Sequence, residues 1–259
     1  MPTVNGRNNV TWTSGELSRG YMKLSGAAKA FDFDFRGKTV LDIGSSTGGF
    51  TKYALDHGAT KVIAVEKGTN QMMSPLRNDP RVELHEKMDI FNVRATRTKS
   101  RGAFATTGAN DEASPSTVVG AEQTKHLCFV SRRHPTDDPT GSTGASKEAT
   151  RGSVLVVIPD TILADVSFIS LTRVLSYAKN HLSSPHTEYL VMLKPQFEAR
   201  PDQLSNGIVK NDRIRREIIK NFEQWLKRNG FIIKNKHDNE LTGKHGNLER
   251  FYYLAQSNS

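Results

Sequence analysis

Cysteine is almost missing from this chain: Cys128 stands alone among 259 residues. A single thiol closes no internal disulfide, and neither it nor the 8 histidines fall into a zinc-ligand spacing. A disulfide-held scaffold and a metal-centred site are therefore not expected. Long apolar runs are missing too. No stretch approaches the ~18 apolar residues of a membrane-spanning helix. Residues 1–20 carry neither the hydrophobic core of a signal peptide nor the acid-free, Arg-rich pattern of a transit peptide, so the expected compartment is cytoplasmic. Acidic residues fall short of basic ones, 27 against 36, which leaves a formal net charge of +9 and a pI near 9.6. That imbalance favours polyanionic partners, with nucleic acid the first candidate.

With 36% hydrophobic residues, the chain can bury one sizeable α/β core and is read as one main domain. β-rich runs occur at Lys38–Ile43, Lys61–Val65, Val82–His85, Thr161–Ala164, Tyr189–Leu193, Phe231–Lys234 and Phe251–Leu254. Helix-like segments lie at Gly49–His57, Leu171–Leu182 and Asp212–Asn229, the last closed by Gly230. Strands alternating with helices predict a Rossmann-like α/β fold, a mostly parallel seven-stranded sheet with helices on both faces. One segment breaks the rhythm. From Thr96 to Gly152, Gly, Ser, Thr, Ala, Pro and charged residues dominate, and only Leu127–Val130 is apolar. Such a composition buries too little surface to offset its ordering entropy, so a low-complexity insertion is expected there, with Arg132 and Arg133 as its possible RNA contacts. The run Val154–Ile158 reads equally as an extra strand or as a lead-in to the next one.

The turn Asp42-Ile43-Gly44-Ser45-Ser46-Thr47-Gly48-Gly49-Phe50 follows the first strand directly, and its glycines would let backbone amides approach a ligand that a Cβ excludes. Its spacing departs from G-x-G-x-x-G, and Asp42 ends the strand itself, which favours S-adenosylmethionine over a nicotinamide dinucleotide. Glu66 lies 24 positions after Asp42, at the end of the second strand, where a carboxylate accepts hydrogen bonds from both ribose hydroxyls of an adenosine. Asp89, after the third strand, is placed for the adenine amino group. The expected cofactor set is Asp42, Gly44, Ser45, Ser46, Thr47, Gly48, Gly49, Phe50, Glu66, Asp89 and Asp165.

Charged residues also stand at strand ends: Asp165 closes Ile162-Leu163-Ala164, and Lys194 closes Tyr189-Leu190-Val191-Met192-Leu193. Lys23 lies ahead of the core in Ser18-Arg19-Gly20-Tyr21-Met22-Lys23-Leu24. Charges at the ends of parallel strands point into the ligand crevice. Together with Leu76-Arg77-Asn78-Asp79-Pro80-Arg81-Val82, Asp165-Val166-Ser167-Phe168-Ile169-Ser170-Leu171, Lys194-Pro195-Gln196-Phe197-Glu198 and Gly246-Asn247-Leu248-Glu249, these motifs resemble the FtsJ-type RNA ribose 2′-O-methyltransferases, and most closely their TlyA-like branch, also known under the name hemolysin. The resemblance implies a Lys-Asp-Lys-Glu catalytic set, which falls here on Lys23, Asp165, Lys194 and Glu249. It implies S-adenosylmethionine as methyl donor and RNA as substrate, with ribosomal RNA or a ribosomal subunit first. In this reading Lys194 handles the proton of the ribose hydroxyl, Asp165 orients Lys194, and Lys23 and Glu249 position the ribose. The branch usually carries a small RNA-binding domain ahead of the methyltransferase. Here residues 1–17 form a short N-terminal segment and 18–259 the methyltransferase domain, interrupted at 96–152.

Other substrates of the same machinery would be tRNA, mRNA or a small molecule. A non-catalytic RNA binder would be expected to lose the Lys and Asp set, which is intact here. A membrane-lytic role finds no spanning or strongly amphipathic segment. Trp225 is read as a packing residue, and Trp12 is open between packing and base stacking. The Arg- and Lys-rich stretch Asp212–Lys227 reads as a solvated helix face.

Overall fold

The structure, a computed structural model, describes residues 3–5, 9–11, 18–96, 154–209, 211–241 and 246–257. Most of the expected insertion, with Cys128, Arg132 and Arg133, lies outside the described residues, as does Trp12. The description below concerns the unit formed by residues 1–98 and 151–259.

Seven strands form the main sheet: β1 (Thr39–Ile43), β2 (Lys61–Val65), β3 (Val82–His85), β4 (Thr161–Ala164), β5 (Glu188–Leu193), β6 (Phe231–Asp238) and β7 (Arg250–Gln256). Their spatial order is β6-β7-β5-β4-β1-β2-β3. β1 pairs in parallel with β2 and β4, β2 with β3, and β4 with β5, while β7 runs antiparallel to both β5 and β6. The expected fold class is thus the observed one. β6 outruns its expected end at Lys234 because Asn235, Lys236 and Asp238 continue an edge strand that is half solvated. An apolar alternation cannot reveal such residues.

Helices α2 (Gly49–Asp56), α3 (Leu171–His181) and α4 (Asp212–Arg228) lie where the sequence places them. A further helix, α1 (Arg19–Phe31), precedes the sheet and was not expected. Its signals are present: Ser18 Oγ accepts from Tyr21 N at 3.2 Å as N-cap, and Leu24, Ala27, Ala28 and Phe31 make a buried i, i+3, i+4, i+7 stripe. Side chains alternate across the sheet into two cores. Leu41, Ile43, Ile63 and Val191 pack with α3 and α4, whereas Val40, Val62, Leu163 and Leu190 pack with α1 and α2. The undecided run resolves as a strand, Val154–Val157, which pairs in parallel with Val93–Thr96 apart from the main sheet. Trp225 stacks on Phe231 and packs against the first core, as expected.

Candidate active site and cofactor cavity

Because β1, β2, β4 and β5 run parallel, Gly44, Glu66, Asp165 and Lys194 emerge at the same sheet edge. β7 runs the other way and begins at this edge. Arg250 pairs with Leu193, so Glu249 stands beside Lys194 one register step further on. α1 supplies Lys23. The four residues form two ion pairs: Lys23 Nζ to Glu249 Oε2 at 2.5 Å, and Lys194 Nζ to Asp165 Oδ1 at 2.5 Å. The first is the more deeply buried, with Lys23 8% and Glu249 3% exposed. Lys194 also donates to Ser167 Oγ at 3.0 Å.

Beside the second pair opens a cavity of about 780 Å³. Gly44, Ser46, Glu66, Asp89 and Asp165 of the expected cofactor set line it, with apolar walls from Ile43, Val65, Met88, Ile90, Phe91 and Val166. Glu66 is held in place by two amides, Ser46 N at 2.9 Å and Gly68 N at 2.6 Å, so its carboxylate faces the cavity from a fixed position. Asp89 caps the short turn Ile90–Asn92 by accepting from Phe91 N at 3.2 Å and pairs with Lys67 at 3.2 Å.

The other loop residues lie elsewhere. Asp42 is fully buried beneath the loop, where it accepts from Thr51 Oγ1 at 2.6 Å while its Oδ1 has no partner. Burial pushes its carboxyl up to about 7; the neighbouring Asp165 and Glu66 charges add to the rise, and the Thr51 hydrogen bond opposes it. Ser45 is buried and Thr47 exposed. Phe50 packs in the core against Phe251. At Gly48 and Gly49 neighbouring protein atoms leave no room for a side chain. A Cβ on Gly48 would meet Leu76 Cδ2 at 2.4 Å, and one on Gly49 would meet Ser18 Oγ at 2.3 Å and Tyr21 N at 2.7 Å. Gly49 is thus what lets the Ser18-Arg19-Gly20 end of α1 dock against α2. At Gly44 (φ 80°) a Cβ would meet the Asp165 carbonyl at 2.7 Å.

Sequence reasoning gave no separate role to Ser167, Phe168 or Arg173, all at the cavity. Phe168 is 92% exposed with φ 63°, and its ring lies 5.3 Å from that of Phe197. An exposed aromatic in a strained turn is a common mark of a functional loop, but no propensity rule places it.

A seven-stranded Rossmann-like sheet whose seventh strand is antiparallel, with a glycine turn after β1 and a fixed carboxylate at the end of β2, defines an S-adenosylmethionine-dependent methyltransferase. The residues present fit that cofactor: the cavity lies within the ~300–1,000 Å³ range of small-molecule sites, and it offers the Glu66 carboxylate to a ribose diol between apolar walls that suit an adenine. Residues 17–256 match the FtsJ-like methyltransferase family, and the chain belongs to it. It is 30% identical over 239 residues to a Bacillus subtilis protein provisionally named an rRNA methyltransferase, YqxC, covering 92% of this chain and 65% of that one. It is 28% identical over 243 residues to the 23S rRNA (cytidine-2′-O)-methyltransferase TlyA of Campylobacter jejuni, covering 93% and 71%. Among solved structures, one of a Streptococcus thermophilus protein provisionally named a hemolysin matches with a TM-score of 0.65 at 28% identity, over 94% of this chain and 68% of that one. No described helix is long and apolar enough to cross a membrane.

Proposed function

We propose that this protein transfers a methyl group from S-adenosylmethionine to a ribose 2′-hydroxyl of RNA, with ribosomal RNA, free or in a subunit, as the substrate. The observation that carries the reading is the Asp165–Lys194 pair, of which Asp165 lines the cavity, together with the buried Lys23–Glu249 pair, whose Glu249 precedes the β7 residue that pairs with Leu193. The relatives named as ribosomal RNA methyltransferases and the net charge of +9 support an RNA substrate. Gly44, Ser46, Glu66, Asp89 and Asp165 would hold the cofactor, Glu66 by its ribose. When bound, that group supplies an electrophilic methyl on a sulfonium.

A ribose hydroxyl is a weak nucleophile near neutral pH, so its proton must leave as the oxygen–carbon bond forms. Lys194, in its unprotonated form, takes that proton, and Asp165 stabilises the ammonium that results. Ser167 keeps the amine directed into the site. Lys23 and Glu249 hold the ribose against the pair. The one-cysteine composition fits work in the cytoplasm, where ribosomes are. Incubation of the protein with labelled S-adenosylmethionine and either ribosomal subunits or extracted RNA, followed by nuclease digestion and mass spectrometry, tests this. Label on a ribose 2′-oxygen of ribosomal RNA is the expected result. Label on a base, on other RNA alone, or on none would refute the assignment.

A further inference from the structure

The loop 165–170, between β4 and α3, carries Asp165, Ser167 and Phe168, and the loop after β5 carries Lys194. The two loops touch at the strand ends through the Asp165–Lys194 pair. They are also joined at their far ends, through a residue with no place in the proton transfer. Glu198 Oε1 accepts from Leu171 N at 2.7 Å, and its Oε2 accepts from Ser170 Oγ at 2.6 Å. The start of α3 is thus capped by a carboxylate from another loop, where the helix dipole and an otherwise unpaired amide both favour a negative group. Ser170, the residue of α3's own N-cap, reaches Thr172 N at only 3.3 Å, so Glu198 is the shorter cap. Burial raises the Glu198 carboxyl above its ordinary range, and its two hydrogen bonds oppose that rise.

The six residues from Asp165 to Ser170 lie outside helix and strand, with Asp165 N donating to Ile43 O at 3.2 Å at the strand end, and contain a left-handed Phe168. A loop of this kind does not hold a side chain to the tolerance that proton transfer needs unless both of its ends are fixed. We propose that Glu198 is a positioning residue that clasps the β4–α3 loop to the β5 loop and so sets the Asp165–Lys194 geometry on which transfer depends. The inference takes Lys194 and Asp165 in the roles given above.

The test compares Glu198→Ala and Glu198→Gln with wild type in two ways. The first needs no RNA. Lysine acylation is followed by mass spectrometry as a function of pH, with exposed Lys220 as internal reference and Lys23, buried on α1, as control. Loss of the clasp frees Lys194, so Glu198→Ala labels severalfold faster there, with Lys23 unchanged. Glu198→Gln keeps both contacts, accepting from Leu171 N and donating to Ser170 Oγ, and stays close to wild type. The second measurement is transfer to RNA: kcat of Glu198→Ala falls about 10- to 100-fold, the scale of a small misplacement of reacting groups, with KM for RNA little changed, and Glu198→Gln restores most of it. A folded Glu198→Ala whose Lys194 labels at the wild-type rate overturns the proposal. If wild type methylates no RNA, the functional reading fails, and the labelling still decides the clasp.

Discussion

Replacing Glu249 by alanine would leave the Lys23 ammonium buried without its partner. Lys23 Nζ lies 2.5 Å from Glu249 Oε2, and the two side chains are 9% and 3% exposed, so solvent cannot take the carboxylate's place. Removing one member of a buried pair costs about 3–5 kcal/mol, because the remaining charge is uncompensated. For a domain of this size each kcal/mol moves the unfolding midpoint by about 2–4 °C, so Glu249→Ala should melt roughly 6–20 °C below wild type. The double variant Lys23→Met/Glu249→Leu replaces the pair with apolar groups of similar volume. It should recover most of that loss, as such replacements are often neutral or stabilising. Neither variant should transfer methyl. Thermal unfolding followed by circular dichroism reads the first effect, and the labelled-methyl assay reads the second. A midpoint for Glu249→Ala equivalent to less than about 1 kcal/mol of loss would refute the reasoning, since that is the range of solvated surface pairs.

Three further outcomes follow from the site. The Asp42 carboxyl is raised to about 7 in the folded protein from an ordinary value near 3.8, so the folded state holds the extra proton between these values. Its contribution to stability is therefore greatest at low pH and is lost as pH rises toward 7; Asp42→Asn should flatten this component of urea midpoints measured from pH 5 to 8. Glu66→Ala should weaken cofactor binding about 10- to 100-fold by calorimetry, matching the loss of charge-assisted hydrogen bonds worth about 1.5–3 kcal/mol. Gly49→Ala should push α1 off α2, because its Cβ would meet Ser18 Oγ at 2.3 Å; a stability loss of about 1–3 kcal/mol from overpacking, with loss of transfer through displaced Lys23, would be read by denaturation and activity together.

All seven strands were legible because β-branched and aliphatic runs bounded by glycine or charge carry a period-2 or continuous apolar signal. The ladder Val93–Thr96 with Val154–Val157 was not: its two short strands stand either side of the long low-complexity stretch, and nothing local announces their pairing. Helix α1 was not expected although its Ser18 cap and buried stripe are readable, because Gly20 and Gly26 lower its helix propensity and its first turn carries no acidic residue. The strand-end residues Glu66, Asp165 and Lys194 were found because parallel topology converts chain position into a common edge. The loop glycines were legible as a turn, but the close packing of Gly48 on Leu76 and Met72 and of Gly49 on Ser18 was not, since these are neighbours in space that no spacing within the loop reveals. Glu198 was seen as part of a motif, while its grip on Ser170 and Leu171 required the fold.

The claim that Lys194 handles the substrate proton is tested most directly by pairing two measurements on Lys194→Ala: the cofactor dissociation constant and the single-turnover rate of methyl transfer to RNA. The account predicts cofactor binding close to wild type and a transfer rate lower by about 10²- to 10⁴-fold, the range of a general-base contribution. Unchanged binding with transfer at the wild-type rate would contradict it.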